Sequence, residues 1–214
     1  MNFKPSTVLN ELEVDALTEL VNLGISHAAL SLAKMVKQEV HLSVPKVALV
    51  AREEAIQILA ERESKSLVAV HQVFEGEING RALLIFPEAR SLELVRAVIG
   101  RELSIEEIIE LEQEALAETG NVILNGCLAT MANLLERSLK ISLPEVLRGE
   151  GSEFFNLAPP PEAGDTVMFI YINFDVRQRN VEGYIAMLMD MPSLAAMKVL
   201  LGDFIQRTTG APAG

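Results

Sequence analysis

The 214-residue chain has a single cysteine, Cys127, and no tryptophan, and aromatic residues make up only 5% of it. One thiol cannot close an internal disulfide, so a reducing compartment is the expectation. Cations are also scarce. The 18 lysines and arginines stand against 30 acidic residues, and a formal charge of −12 argues against a nucleic-acid reader. Three scattered histidines, His27, His41 and His71, offer no metal cluster. No CxxC pair, Gly-rich phosphate loop or nucleophile elbow occurs, so no cofactor of the chain's own is expected. The longest uncharged run, Thr119 to Leu135, is short for a bilayer span and carries Asn121, Asn125 and Asn133. The first twenty residues lack the basic-then-apolar order of a signal peptide, which points to a cytoplasmic protein without membrane insertion.

Half the residues are apolar and 22% are charged, the balance of a globular chain with one core. From Thr7 to about Lys37 the apolar positions Val14, Leu17, Val21, Ile25, Ala28 and Leu32 recur at three- and four-residue steps and predict one amphipathic helix. HLSVPKVALVA then reads as a strand interrupted at Pro45, which favours a sheet edge or a bulge. Residues 53 to 63 suggest a short helix. SLVAVHQVF and RALLIF flank GEING and predict a hairpin reversing at Asn79-Gly80, followed by a helix from Ala89 to Ile99.

Ser104 with Glu107 three residues on predicts a capped helix running to about Ser138. KISLPEV repeats the strand with proline. A loop is expected from Arg148 to Gly164, then TVMFIYINFDV, a turn around Arg177 to Gly183, YIAMLMD, a helix from Ser193 to Arg207, and a frayed tail.

The two halves thus have the same order: long helix, strand with proline, intervening segment, hairpin, short helix. Pro45 and Pro144 are 99 apart, Gly80 and Gly183 are 103 apart, and Gly100 and Gly202 are 102 apart, as an internal duplication would leave them. Neither half can bury both faces of its hairpin alone. The expected fold is α+β, one antiparallel sheet with pseudo-twofold symmetry and the two long helices packed on it. Residues 1–207 would form one domain, with repeats at about 7–100 and 104–207 and a flexible tail at 208–214.

Asp15, Glu19 and Asn22 stand at i, i+4, i+7, within about 60° of arc on one side of the first helix and away from its apolar stripe. The second helix repeats the row with Glu114, Glu118 and Asn121, extended by Asn125 where the first has Ser26. Each pair precedes its proline by the same distance: Glu19-x2-Asn22-x22-Pro45 and Glu118-x2-Asn121-x22-Pro144. At ordinary residue frequencies one such match should occur by chance on the order of 0.05 times per chain, and two far less often.

On these residues the sequence resembles the CheC/CheX/FliY phosphatases of chemotaxis, whose motif is Asp or Ser, x3, Glu, x2, Asn, x22, Pro. Asp15, Glu19, Asn22 and Pro45 fit every position; the second copy has Glu114 where Asp or Ser is usual. Two copies, and no rotor-type domain after residue 207, look most like CheC. The resemblance implies a CheC-like fold and hydrolysis of the aspartyl phosphate on a CheY-like response regulator of chemotaxis or another two-component pathway. It implies catalytic roles for Glu19, Asn22, Glu118 and Asn121.

The residues themselves agree with that chemistry. An acyl phosphate is already labile and the regulator brings its own Mg²⁺, so a phosphatase need mainly orient a water in line with phosphorus, which a neutral carboxamide can do. Glu19 or Glu118 could anchor a cation of the regulator, while Pro45 and Pro144 read as structural. The alternative is a non-catalytic receiver-binding or flagellar-switch-like scaffold, which has no need of a retained Glu and Asn pair.

Many CheC proteins bind the deamidase CheD through a helix after the second proline. EVLRGEGSEFFNLAPPPEAGD reads as a loop there, so CheD is a weaker expectation than the receiver. Elsewhere the plainer readings are preferred. His27 is expected to be packed or half-buried, Cys127 a small buried hydrophobe, Met187, Met189, Met191 and Met197 core residues, and Glu106, Glu107, Glu110, Glu112 and Glu114 solvated helix surface.

Overall fold

Asn10 caps the first helix, α1 (Glu11–Val36), in a reciprocal pair. Its side chain accepts from the Glu13 amide at 2.9 Å, and the Glu13 carboxylate accepts from the Asn10 amide at 2.8 Å. This box sets the helix start at Glu11; Thr7, the expected start, lies outside the described residues. The computed structural model describes residues 9–62, 66–99, 104–156, 166–176 and 179–210.

After α1 come β1 (Val40–Ala51), α2 (Arg52–Arg62), β2 (Leu67–Gly76), β3 (Gly80–Pro87) and α3 (Glu88–Ile99). The second half has α4 (Ile105–Leu134), β4 (Leu139–Ile141), β5 (Glu145–Gly149), α5 (Gly151–Phe155), β6 (Thr166–Val176), β7 (Arg179–Met189) and α6 (Met191–Thr209). Ser104 and Glu107 form the expected capping box on α4. That helix stops at Leu134, short of Ser138, where Glu136 takes a left-handed φ of 58° and Arg207 donates to the Leu134 carbonyl at 2.9 Å.

The seven strands make one antiparallel sheet in the order β1-β6-β7-β3-β2-β4, with β5 also on β2. Exchanging the halves turns β1 into β4 and β5, β6 into β2 and β7 into β3, and the order then reads the same from either end, as a duplicated chain leads one to expect. β1, which carries Pro45, and β4 and β5, which flank Pro144, pair with the other half's hairpin at the sheet edges, where a missing N–H is tolerated. In β1 the pairing with β6 shifts register between Ser43 and Lys46, around Pro45, and Pro144 falls in the gap between β4 and β5.

Side chains alternate across the sheet. Val68, Val70 and Phe74 of β2 share a core with α1, α3, α4 and α6 on one face. Leu67 and Ala69 share the other with Ala55 and Leu59 of α2 and Phe154 and Phe155 of α5. The local sequence does not announce this second layer. Arg148–Gly164 reads as a loop, but β5 runs to Gly149 and α5 follows, held by two buried phenylalanines that outweigh the local glycines. The loop argument against a CheD-binding helix therefore fails for residues 151–155, yet in α5 only Glu153 is exposed, and a Cβ on Gly151 would meet Leu59 and Leu67 of this second core. Residues 157–165 lie outside the described residues.

Other expectations needed correction. The β2–β3 reversal lies at Glu77-Ile78-Asn79, with Gly80 already paired to Phe74. The β6–β7 strands extend to Val176 and Arg179, so Gly183 is a strand residue and not part of a turn. Val14 and Met191 are exposed, although both fall in core patterns of the sequence. Glu112 is buried instead of solvated: it accepts from Ser91 at 2.6 Å and pairs with Arg148 at 2.6 Å, and Arg148 also reaches Glu88 at 3.0 Å. That cluster ties α3 and α4 to β5.

Candidate active site

The two long helices cross where small residues let them meet. A Cβ on Gly24 would lie 3.0 Å from the Cys127 carbonyl oxygen, and one on Gly126 would lie 3.0 Å from the Ala28 Cα. Cys127 is buried and its thiol is pushed up to about 12 by desolvation, so it packs as a hydrophobe, as expected. His27 is exposed, contrary to expectation, with Nδ1 3.0 Å from the Thr130 hydroxyl across the crossing.

On α1 the structure places Asp15 and Glu19 in solvent and leaves Asn22 half-buried. On α4 it leaves Glu114 and Glu118 in solvent, while Asn121 and Asn125 are half-buried. Both Glu and Asn pairs lie N-terminal to the helix crossing at Gly24–Cys127 and Ala28–Gly126. Each helix is followed directly by the proline-bearing edge strand. The helices present the polar row as the spacing implies, but the Asn121 end is not a freely solvated surface.

Asn121 is held by a residue that no sequence motif singles out. Gln72 of β2 is fully buried. Its Nε2 donates to the Ser142 carbonyl at 2.8 Å and approaches Oδ1 of Asn121 at 3.2 Å and of Asn125 at 3.3 Å. Nδ2 of Asn125 also donates to Oδ1 of Asn121, at 2.7 Å. A backbone carbonyl only accepts, so Ser142 fixes which end of the Gln72 amide faces it, and that amide in turn draws in the carbonyl of Asn121. The Asn121 Nδ2 has no acceptor among the described residues and reaches solvent.

The remaining Gln72 oxygen is buried without a partner among the described residues, a cost of about 1–3 kcal/mol. The signal in the sequence is one amide at an inward position between Val70 and Phe74, in a strand otherwise apolar on that face. Among the described residues no three His, Cys, Asp or Glu side chains come close enough to hold a metal ion.

Residues 68–158 match the family described as chemotaxis phosphatase CheX. The CheY-P phosphatase CheC of Bacillus subtilis is 28% identical over 144 residues, 64% of this chain and 67% of that protein. A CheC1 protein of Halobacterium salinarum is 21% identical over 193 residues, covering 90% of this chain and 97% of its own. The crystal structure of Thermotoga maritima FliY superposes with a TM-score of 0.71 at 19% identity, over 92% of this chain and all of that one. The chain is thus similar to CheC, CheX and FliY proteins in sequence and in fold.

The mixed layers of helix and antiparallel sheet are those of these structural neighbours. One of the similar proteins is named for phosphatase activity on CheY-P, and the matching family model is described as a chemotaxis phosphatase. Chemically, the outward carboxylates can bind cations and the half-buried amides can hold a water or a phosphoryl oxygen.

Proposed function

We propose that this CheC-like chain hydrolyses the aspartyl phosphate of a CheY-like receiver at two sites, with Asn22 and Asn121 orienting the attacking water and Glu19 and Glu118 anchoring the receiver. The observation that carries this is the double placement of a Glu and an Asn one turn apart, carboxylate in solvent and amide half-buried, in a relative of CheC.

In this reaction the water oxygen forms a new bond to phosphorus as the acyl P–O bond breaks. The receiver's aspartate leaves as a carboxylate, and both water protons depart on dihydrogen phosphate. A Mg²⁺ bound by the receiver would supply charge neutralisation at the phosphoryl oxygens, which leaves alignment to this chain. Neutral amides supply that without a titrating group. An exposed carboxylate next to each amide suits a lysine or arginine of the receiver, and seating that cation brings the phosphoryl group over the amide.

The test is decay of phosphorylated receiver with and without the protein. Faster decay supports the phosphatase reading. A receiver that binds but decays at its own rate would instead favour a scaffold, the reading that has no use for the asparagines.

A further inference from the structure

We infer that Gln72 is a positioning residue for the second site: it locks Asn121 with the carbonyl inward and the NH2 group outward, so that the two sites are held unequally. The kinetic part of this inference rests on the phosphatase reading; the geometry does not.

The register identifies what stands at the same place in the other half. His71 pairs with Glu145 and Phe74 with Ile141; in the other half Tyr171 pairs with Lys46 and the residue at 174 with Leu42. With Pro45 matched to Pro144, position 72 corresponds to Ile172, which is buried in the same helix-facing core. Isoleucine has no donor to offer. An apolar side chain therefore fills that inward position in one half, and packing alone does not call for glutamine in the other.

A second difference falls beside the first. Gly120 precedes Asn121, and a Cβ there would lie 2.5 Å from Val70 Cβ, so α4 sits directly on β2. At the matching place before Asn22, α1 carries Val21, fully buried. The second half combines a small helix residue with a long amide on the strand, and the first half combines valine with isoleucine. Only the pairing in the second half brings an amide from the sheet up to the asparagine. Asn125, which completes the clamp, is matched by the exposed Ser26.

The consequence is directional. With Oδ1 occupied from two sides, Asn121 meets the reacting group as a donor, already ordered before the receiver arrives. Such ordering acts on the step after binding, whereas the exposed Glu118 governs the docking of the receiver.

The test combines two measurements on the full chain. Nitrogen relaxation of side-chain amides should find the Asn121 NH2 group as ordered as the backbone, while the exposed Asn133 NH2 group is mobile, and Gln72→Met should release Asn121. In an Asn22→Ala background, which isolates the second site, Gln72→Met should lower kcat by about tenfold with KM unchanged. Asn125→Ala, on the helix surface and without a buried strand position to disturb, should act in the same direction. An Asn121 amide as mobile as that of Asn133 in the wild type would overturn the inference, and so would an unchanged kcat in both variants. A wild type that accelerates no receiver's decay would reject the phosphatase reading instead, and the relaxation measurement would still decide the clamp.

Discussion

At the scale of single residues, the candidate site is legible where its logic is local. Glu19, Asn22, Glu118 and Asn121 stand out because helix spacing and a fixed distance to proline are both written along the chain. Gln72 is not legible, because its role depends on α4 lying over β2, a contact between positions far apart in sequence. The same contact changes an expectation about stability: Asn121→Ala strips an acceptor from a buried amide, so it should cost about 1 kcal/mol of folding free energy, whereas Asn22→Ala should cost less. Urea denaturation of the two variants side by side reads that difference.

His71 gives a prediction of another kind. It is buried on the opposite face from Gln72, and burial, helped by the Arg81 charge and opposed by Glu145, holds its pKa below the usual 6.5. In the window between the folded value and about 6.5 the unfolded chain binds more protons, so stability rises with pH. The contribution of the neutral imidazole is complete above about 6.5 and is lost as pH falls through that window. Urea denaturation at about pH 7.5 and about pH 5.5 should find lower stability at the acid value, and His71→Phe should flatten the difference. An equal drop in the variant would assign the acid sensitivity to other groups.

At the scale of elements, helices and strands follow their periodicities, and the errors come where tertiary contact overrides local composition. Gly183 reads as a turn residue, yet it sits mid-strand because a Cβ there would lie 2.6 Å from the Phe86 ring. The glycines around residue 150 read as loop, yet Phe154 and Phe155 dock beneath the sheet and carry α5 with them. Gly120 is the element-scale residue that bears on the site. Gly120→Ala should force α4 away from Val70 and destabilise the fold by about 1–3 kcal/mol, read as a lower urea midpoint at unchanged slope. The equivalent crowding is already tolerated at Val21, so Val21→Ala should instead lose buried methyl groups without moving α1 toward the sheet.

At the scale of the whole molecule, the repeated order of elements is readable along the chain, but the exchange of edge strands is not. Each half's proline strand completes the other half's hairpin, a choice that sequence periodicity within one half does not encode. The charge of −12 also belongs to this scale. An acidic surface steers a basic partner face, and this steering fades as salt rises to about 0.5 M. In the proposed complex, Glu19→Gln with Glu118→Gln should weaken receiver binding by roughly 1.5–3 kcal/mol per site, and the variant should be less salt-sensitive than the wild type. Equal affinity for both proteins at low and high salt would leave the glutamates as ordinary helix surface.

The most direct test of the account is the rate of phosphate release from a phosphorylated CheY-like receiver with the wild type, Asn22→Ala, Asn121→Ala and the double variant. The account predicts partial activity in each single variant and almost none in the double variant, with about 2.7–4 kcal/mol of barrier lowering lost at each altered site. A folded double variant that releases phosphate at the wild-type rate would contradict it.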